Sequence, residues 1–315
     1  MARHVRVSTI AYEPVSQGPD WMPRTHAKIV ELLEEAARSK PDLVALPEFC
    51  NVLGLGDAAY GLAEPIPGPT SDVVAAVARK HGMHVVLPIP ERDGDHLHNT
   101  AALIGRDGQV IGKYHKYQPT IGEMEHGIVP GTDAEVFPTD LGPVGMAICF
   151  DLKFVEVGQR LAANGARLVV FASMFIGGLR LEHWARDFGC YLVSSCPARS
   201  YIMDMSGRFL AETGREIDQV RAELLPPIAG TTINMDRMLF HLDTNQNRFP
   251  DLLRKYDGGV EIEVHYPEAT FTLASLMDEA TVEDLVREFE LEPYCDYLNR
   301  ARGVRREMLE RAGQG

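Results

Sequence analysis

A cysteine, a glutamate and a lysine close three separate apolar runs of this chain. Cys149 ends Val144-Gly145-Met146-Ala147-Ile148 and is followed by Phe150-Asp151 and a helical-looking stretch. Glu48 ends Asp42-Leu43-Val44-Ala45-Leu46-Pro47, and Lys116 ends Val110-Ile111-Gly112-Lys113-Tyr114-His115. A thiol at a strand-to-helix corner meets the free N–H groups of a helix start, which favour negative charge, so its pKa is expected below the usual ~8.5. A carboxylate that can take the thiol proton and an ammonium that can steady developing negative charge complete the parts for covalent amide cleavage. Each residue also has an ordinary use alone: a small core residue, a helix-capping acid after Pro47, a surface lysine in a hairpin.

The elements that must position them alternate between strand and helix. Residues 5–12 read as a strand and residues 25–40 as a helix with Ile29, Leu32, Leu33 and Ala36 on one face. After the strand ending at Glu48, Thr70 or Ser71 can cap a helix through Arg79. Residues 84–88, 100–104 and 110–114 read as strands turning at Asp93-Gly94 and Asp107-Gly108. Residues 144–149, a helix over 155–164 and Leu168-Val169-Val170-Phe171-Ala172 form a strand-helix-strand unit, which makes two strands parallel and buried on both faces. Both catalytic strand ends then lie on one rim, beyond the carboxyl ends of strands, where ligands sit in such sheets. Further strands are expected over 231–235, 260–264 and 270–273, around the polar stretch 241–248. Thr281-Val282-Glu283-Asp284 caps a helical tail, and residues 298–312 read as a basic amphipathic helix that could cover a partner subunit or its own domain.

The flanking text carries a resemblance. Leu46-Pro47-Glu48-Phe49, Gly112-Lys113-Tyr114-His115-Lys116 and Gly145-Met146-Ala147-Ile148-Cys149-Phe150-Asp151-Leu152-Lys153-Phe154 resemble, in that order, the glutamate, lysine and cysteine boxes of the nitrilase, or carbon-nitrogen hydrolase, superfamily. Leu97-His98-Asn99-Thr100-Ala101 and Asp107-Gly108 are similar to that family's intervening text, and the likeness runs from about Val5 to about Asp236. It implies an α/β fold, a four-layer α-β-β-α sandwich of two stacked mixed sheets. The hydrolase domain is expected over residues 1–275. Residues 276–315 would be a helical extension that could pack on a partner subunit of a homodimer or larger homo-oligomer, since in relatives the chain end reaches across a dimer interface.

The resemblance also implies roles. Glu48 would be the general base, Cys149 the nucleophile, and Lys116 the group that stabilises the thiolate and then the tetrahedral oxyanion, joined by the backbone N–H of Phe150. A thioester would form and be hydrolysed by water that Glu48 activates, with no metal or organic cofactor. A second glutamate would position Lys116 and the water. Glu123, seven residues past the lysine, matches best. Counting back from Pro130-Gly131 leaves Glu125 as the alternative. Phe150-Asp151 resembles the amidase and carbamoylase branches, where nitrile-cleaving members carry Trp-Glu. The expected substrate is therefore a small carboxamide or N-carbamoyl compound, with nitrile hydrolysis, acyl transfer from the same thioester, or a catalytically idle binding protein as alternatives. Residues 172–180 depart from the family's text. There Met174 and Phe175 could wall an apolar acyl slot and Arg180 or Lys153 could bind a substrate carboxylate; Lys153 could instead pair with Glu156 or Asp151.

Composition narrows the partners. A chain of 315 residues with 45% hydrophobic residues can build one substantial core. A formal net charge of -14 disfavours nucleic acid and anionic lipid, which need clustered Lys and Arg. Five unclustered cysteines argue for reduced thiols rather than a disulfide framework or zinc site; Cys50, Cys190, Cys196 and Cys295 read as structural, with Cys196 the expected competitor in thiol labelling. His81, His84, His96, His98 and His115 lack metal-ligand spacing. No apolar stretch approaches the roughly 20 residues of a membrane helix, and Met1-Ala2-Arg3-His4 leads into a strand without a secretory apolar region. A cytoplasmic setting is the expectation.

Overall fold

The computed structural model describes residues 4–214 and 226–314; Met1-Ala2-Arg3 lie outside the described residues. The chain opens with strand β1 (His4–Ile10), helix α1 (Trp21–Ala37) and strand β2 (Leu43–Ala45). Helix α1 starts four residues before the periodicity suggests, because Pro23 fits a first turn, where its missing N–H has no partner to lose. Its buried face includes Ile29, Leu32, Leu33 and Ala36, as the spacing requires. Helix α2 (Pro69–His81) is capped by Gly68 rather than by Thr70 or Ser71. Pro69 occupies the first helical position, and the Ser71 hydroxyl instead accepts a hydrogen bond from the Gly68 N–H at 2.7 Å. Strands β3 (His84–Asp93), β4 (His96–Ile104) and β5 (Val110–His115) follow as a meander, and a short helix α3 (Ile121–Glu125) comes just after.

The second half repeats the plan. Strand β6 (Val136–Thr139) pairs antiparallel with β7 (Gly142–Ile148); helix α4 (Val155–Ala163) crosses to β8 (Leu168–Ala172), parallel to β7. Helix α5 (Leu179–Phe188) leads to β9 (Tyr191–Ser195), parallel to β8, and β10 (Arg199–Met203) and β11 (Phe209–Gly214) complete the sheet antiparallel. Strand β12 (Ile228–Asn234) returns to pair with β1. The two mixed sheets have the orders β12-β1-β2-β3-β4-β5 and β11-β10-β9-β8-β7-β6.

The sheets stack face to face. Val5, Val7, Leu43, Val86 and Leu103 of the first share one core with Val144, Met146, Val170 and Val193 of the second. Two hydrogen bonds cross between them: Thr9 Oγ1 donates to the Ser194 carbonyl at 2.6 Å and Ser195 Oγ to the Ile10 carbonyl at 2.7 Å. Helices α1 and α2 cover the outside of the first sheet, and Val157, Leu161, Leu181 and Trp184 of α4 and α5 cover the second. The result is the four-layer α-β-β-α sandwich.

Beyond it, β13 (Arg237–His241), helix α6 (Phe249–Lys255), β14 (Val260–His265) and β15 (Thr270–Ser275) make a three-stranded sheet with its own apolar cluster, which helix α7 (Val282–Phe289) joins through Val282 and Leu285. Thr281 caps α7, accepting from the Asp284 N–H at 3.2 Å. Helix α8 (Tyr294–Arg311) begins four residues before the expected 298, and none of its residues is buried. No helix among the described residues is long and apolar enough to cross a membrane.

Candidate active site

Both parallel strand trios end at the same rim, and the three box residues sit there. Beyond β2 the chain breaks off at Pro47, and Glu48 follows before Phe49 turns with a positive φ of 54°. At the end of β7, Cys149 itself has φ 48°, a left-handed conformation costly for a residue with a Cβ, and opens a single 3-10 turn over Cys149–Lys153. The carboxylate of Asp151 holds this elbow. It accepts from the Ile148 N–H at 2.9 Å, from Tyr114 of β5 at 2.7 Å and from the Gln118 N–H at 2.7 Å. Lysine strand and cysteine elbow are thus tied by one fully buried acid, whose pKa burial raises to about 6.

Lys116 lies one residue past β5. Its own N–H donates to the Asn99 carbonyl at 2.8 Å, and its carbonyl accepts from Gly131 at 2.9 Å. Its ammonium is bracketed by two carboxylates, 3.0 Å from Glu48 Oε1 and 3.0 and 2.8 Å from the two oxygens of Glu123. Glu123 is fixed by its place in helix α3: its N–H donates to Thr120 Oγ1 at 3.2 Å, and its Oε2 accepts from the Thr120 N–H at 2.7 Å, a capping box. Glu125 is exposed and forms no ion pair with Lys116 among the described residues.

Glu48, Lys116 and Glu123 are 2%, 1% and 5% exposed, so their charges are tolerable only because they compensate one another. Burial opposes the Lys116 charge, but Glu48, Cys149 and Glu123 outweigh it and hold the pKa above the ordinary lysine value. For Glu123 burial acts upward, and the Lys116 charge with hydrogen bonds from Lys116, Thr120 and Asn99 brings its pKa below the usual range.

The thiol does not follow the sequence expectation. Burial and then the negative charge of Glu48 push Cys149 up to about 12, against the opposing pull of Lys116 and of hydrogen bonds from the Met174 N–H and Ser173. The single 3-10 turn after it is too short to supply a helix dipole that could reverse this. The Met174 N–H also donates to Glu48 Oε2 at 2.8 Å. One donor reaching both atoms makes that oxygen and the sulfur neighbours. The resting site therefore holds a neutral thiol beside Glu48.

Of the remaining sequence-predicted residues, Phe150 and Met174 adjoin this centre. The Phe150 N–H belongs to the first turn after Cys149, where helical N–H groups have no partner within the turn. Met174 is exposed, while Phe175 packs edge-on against Phe171 with Lys153 above its ring at 5.0 Å. That cation-π contact is where Lys153 is found, rather than in an ion pair with Glu156 or Asp151. Arg180 lies exposed in the first turn of α5. Cys196 is buried, as are Cys50 and Cys190, so Cys295 replaces it as the accessible competitor of Cys149. Glu91, Asp93 and His115 bring possible ligand atoms within 4.8 Å of one another, but Lys113 already supplies positive charge there, 2.6 Å from Glu91 and 3.6 Å from Asp93.

Sequence reasoning missed several participants. Asn99 of β4 donates from Nδ2 to both Glu48 Oε1 and Glu123 Oε1 at 2.7 Å. Ser173, Asp151 and Tyr114 hold the surroundings of Cys149. Tyr60, stacked on His126 at 5.1 Å and edge-on to Phe49, stands at the rim; burial and the charge of Glu123 raise its pKa to about 12. The Thr120-Ile121-Gly122-Glu123 capping signature was the available signal favouring Glu123 over Glu125.

Comparison with known proteins agrees with this fold. A carbon-nitrogen hydrolase family model matches residues 15–226. Omega-amidase NIT2-A of Xenopus laevis is 30% identical over 227 residues, covering 62% of this chain and 80% of that protein. A chloroplastic omega-amidase of Arabidopsis thaliana is 29% identical over 232 residues, covering 64% and 62%. Saccharomyces cerevisiae Nit3, a member of branch 10 of the nitrilase superfamily, superposes with a TM-score of 0.64 at 23% identity, covering 74% of this chain and 91% of that one. An amidase from Nesterenkonia sp. superposes at 0.63 and 20% identity, covering 81% and 97%.

Proposed function

Because the chain belongs to the carbon-nitrogen hydrolase family, we propose that it hydrolyses a small non-peptide C–N bond, in a carboxamide or N-carbamoyl compound, through a thioester on Cys149. The observation that carries this reading is the shared Met174 N–H, which sets Glu48 Oε2 beside the sulfur. Relatives named omega-amidases favour an amide over a nitrile.

Charge bookkeeping explains why a base is needed. Two carboxylates and one ammonium leave the buried site with a net charge of about -1, and ionising the thiol outright would take it to about -2 in a low-dielectric setting. Passing the proton to Glu48 as the sulfur attacks keeps the total constant. The carbonyl oxygen then becomes an oxyanion, which Lys116 and the Phe150 N–H stabilise. Glu48 returns the proton to the departing nitrogen, so ammonia or an amine leaves and the thioester remains. Water enters, Glu48 takes its proton, and collapse of the second tetrahedral intermediate releases the acid and restores the thiol. Glu123 keeps Lys116 charged and placed through both steps.

Met174 and Phe175 wall the acyl side of this site in the same reading, and Lys153 or Arg180 binds a carboxylate at the far end of the substrate. The test is ammonia release from a panel of carboxamides, N-carbamoyl compounds and nitriles, with and without a distal carboxylate. Amide or carbamoyl turnover supports the reading; turnover of nitriles alone rejects it. Loss of preference for carboxylate-bearing substrates in Lys153→Met or Arg180→Met would identify the anion contact.

A further inference from the structure

Four polar atoms at the base of the site close into a ring. Lys116 Nζ donates to Glu48 Oε1 at 3.0 Å and to Glu123 Oε1 at 3.0 Å, and Asn99 Nδ2 donates to the same two oxygens at 2.7 Å each. Two donors thus alternate with two carboxylate oxygens. Asn99 is fully buried, and its neighbours on both sides are acceptors, so its amide must present nitrogen to them. Its Oδ1 has no hydrogen-bond partner among the described residues. A buried acceptor left in that state is unfavourable, and the orientation persists because two carboxylates require both hydrogens.

The ring has a consequence for Glu48. Oε1 is occupied by two donors, whereas Oε2 receives the Met174 N–H that also reaches the sulfur. The two oxygens of one carboxylate are therefore given different tasks. We infer that Asn99 is a positioning residue for the reaction: it saturates Glu48 Oε1 so that Oε2 alone is presented to Cys149, and it helps keep two closely placed carboxylates ionised beside a single ammonium.

This rests on the reading of Glu48 as the base, and it deepens that reading with a residue assigned no role so far. Asn99 acts through the two glutamates it bonds. The groups that bear on them are Lys116 beyond β5, Glu123 on α3, Cys149 beyond β7, and Tyr60 on the turn Gly56–Leu62, whose pKa responds to Glu123 and Glu48. Removing the Asn99 donors withdraws stabilisation from the ionised carboxylates only. The pair then holds a proton to higher pH, and the form with a free base is lost earlier on acidification.

The experiment compares wild type, Asn99→Ala, Asn99→Ser and Glu48→Gln for amide turnover between about pH 5 and 9, with circular dichroism and thermal melting for each protein. Asn99→Ala is expected to lower kcat by about 10-fold or more with KM changed less than about 3-fold, and to move the acid limb of kcat/KM up by about one pH unit, the effect of one charge-assisted hydrogen bond lost at each carboxylate. Asn99→Ser, which keeps one donor, should fall between. The rate at which iodoacetamide alkylates Cys149 gives a second readout that needs no substrate; its acid limb, set by protonation of the carboxylate that assists the thiol, should move up as well.

A pure packing role predicts lower melting temperatures with unmoved pH profiles in whatever activity remains, and that result overturns the inference. If Asn99→Ala does not fold, Asn99→Ser decides by the same profiles; should neither fold, Asn99 is a folding residue and the inference is withdrawn. An unchanged Asn99→Ala beside an inactive Glu48→Gln sinks this inference and leaves the base assignment standing. An active Glu48→Gln removes the reading on which both rest.

Discussion

At the scale of single residues, the thiol of Cys149 is made harder, not easier, to ionise. Burial and the charge of Glu48 raise its pKa to about 12, so the proposed reaction requires a neighbouring proton acceptor rather than a free thiolate. Glu48→Gln should therefore have two opposed effects. Turnover falls by about 10²–10⁴-fold, the usual worth of a general base, while the thiol becomes more acidic because a nearby negative charge is gone. Thiolate absorbance or iodoacetamide alkylation against pH checks the second, expected as a shift of the thiol titration to lower pH; a shift to higher pH would contradict the charge argument. The chemistry-bearing residues were readable in the sequence because each closes an apolar run at a strand end. Asn99 and Asp151 were not, since a side chain that bonds partners 51 and 37 positions away leaves no local period. The acidity of Cys149 was misjudged because a helix start was assumed where only one 3-10 turn exists.

Elements place these residues by backbone contacts that leave little slack. Gly131 donates to the Lys116 carbonyl, and a Cβ built there would lie 2.2 Å from the His115 carbonyl oxygen. Gly131→Ala should push the end of β5 aside, costing about 1–3 kcal/mol by overpacking and lowering kcat more than it raises KM; chemical denaturation and steady-state kinetics measure the two. A second tie joins β3, β4 and β5 through Glu91. Burial alone would raise its pKa, but hydrogen bonds from His115, Lys113 and Thr100 and the Lys113 charge hold it at about 2. A carboxyl depressed in the folded state contributes stability that is complete above its unfolded pKa and is lost as pH falls toward the folded one. Glu91→Gln should then cost about 1–3 kcal/mol at neutral pH, with the gap to wild type closing between about pH 5 and 2. Urea unfolding at both pH values tests this, and a gap independent of pH would reject it. Strand and helix periods located most elements in advance. Their ends shifted where Pro23 and Gly68 allowed helix starts that apolar spacing does not mark.

For the whole molecule, two mixed sheets with the same plan stack so that strand ends from both converge on one rim. The strand-helix-strand reading anticipated the parallel trio β7-β8-β9 in part, whereas the pairing of β12 with β1 joins residues too far apart for any local pattern to announce. Helix α8 has no buried residue and leaves Val304 and Met308 about half exposed. We propose that it packs on a second copy of the chain. Light scattering should then give about twice the 34.9 kDa chain mass, and a monomer across the working concentration range would reject the proposal. The central claim is tested most directly by weighing the intact chain after rapid quenching during turnover of an amide. The account predicts a mass increment equal to the acyl group, mapped by peptide digestion to Cys149 and absent from Cys149→Ala, which should fold normally and release no ammonia. Ammonia release at the wild-type rate from Cys149→Ala, or an acyl group carried on another residue, would contradict it.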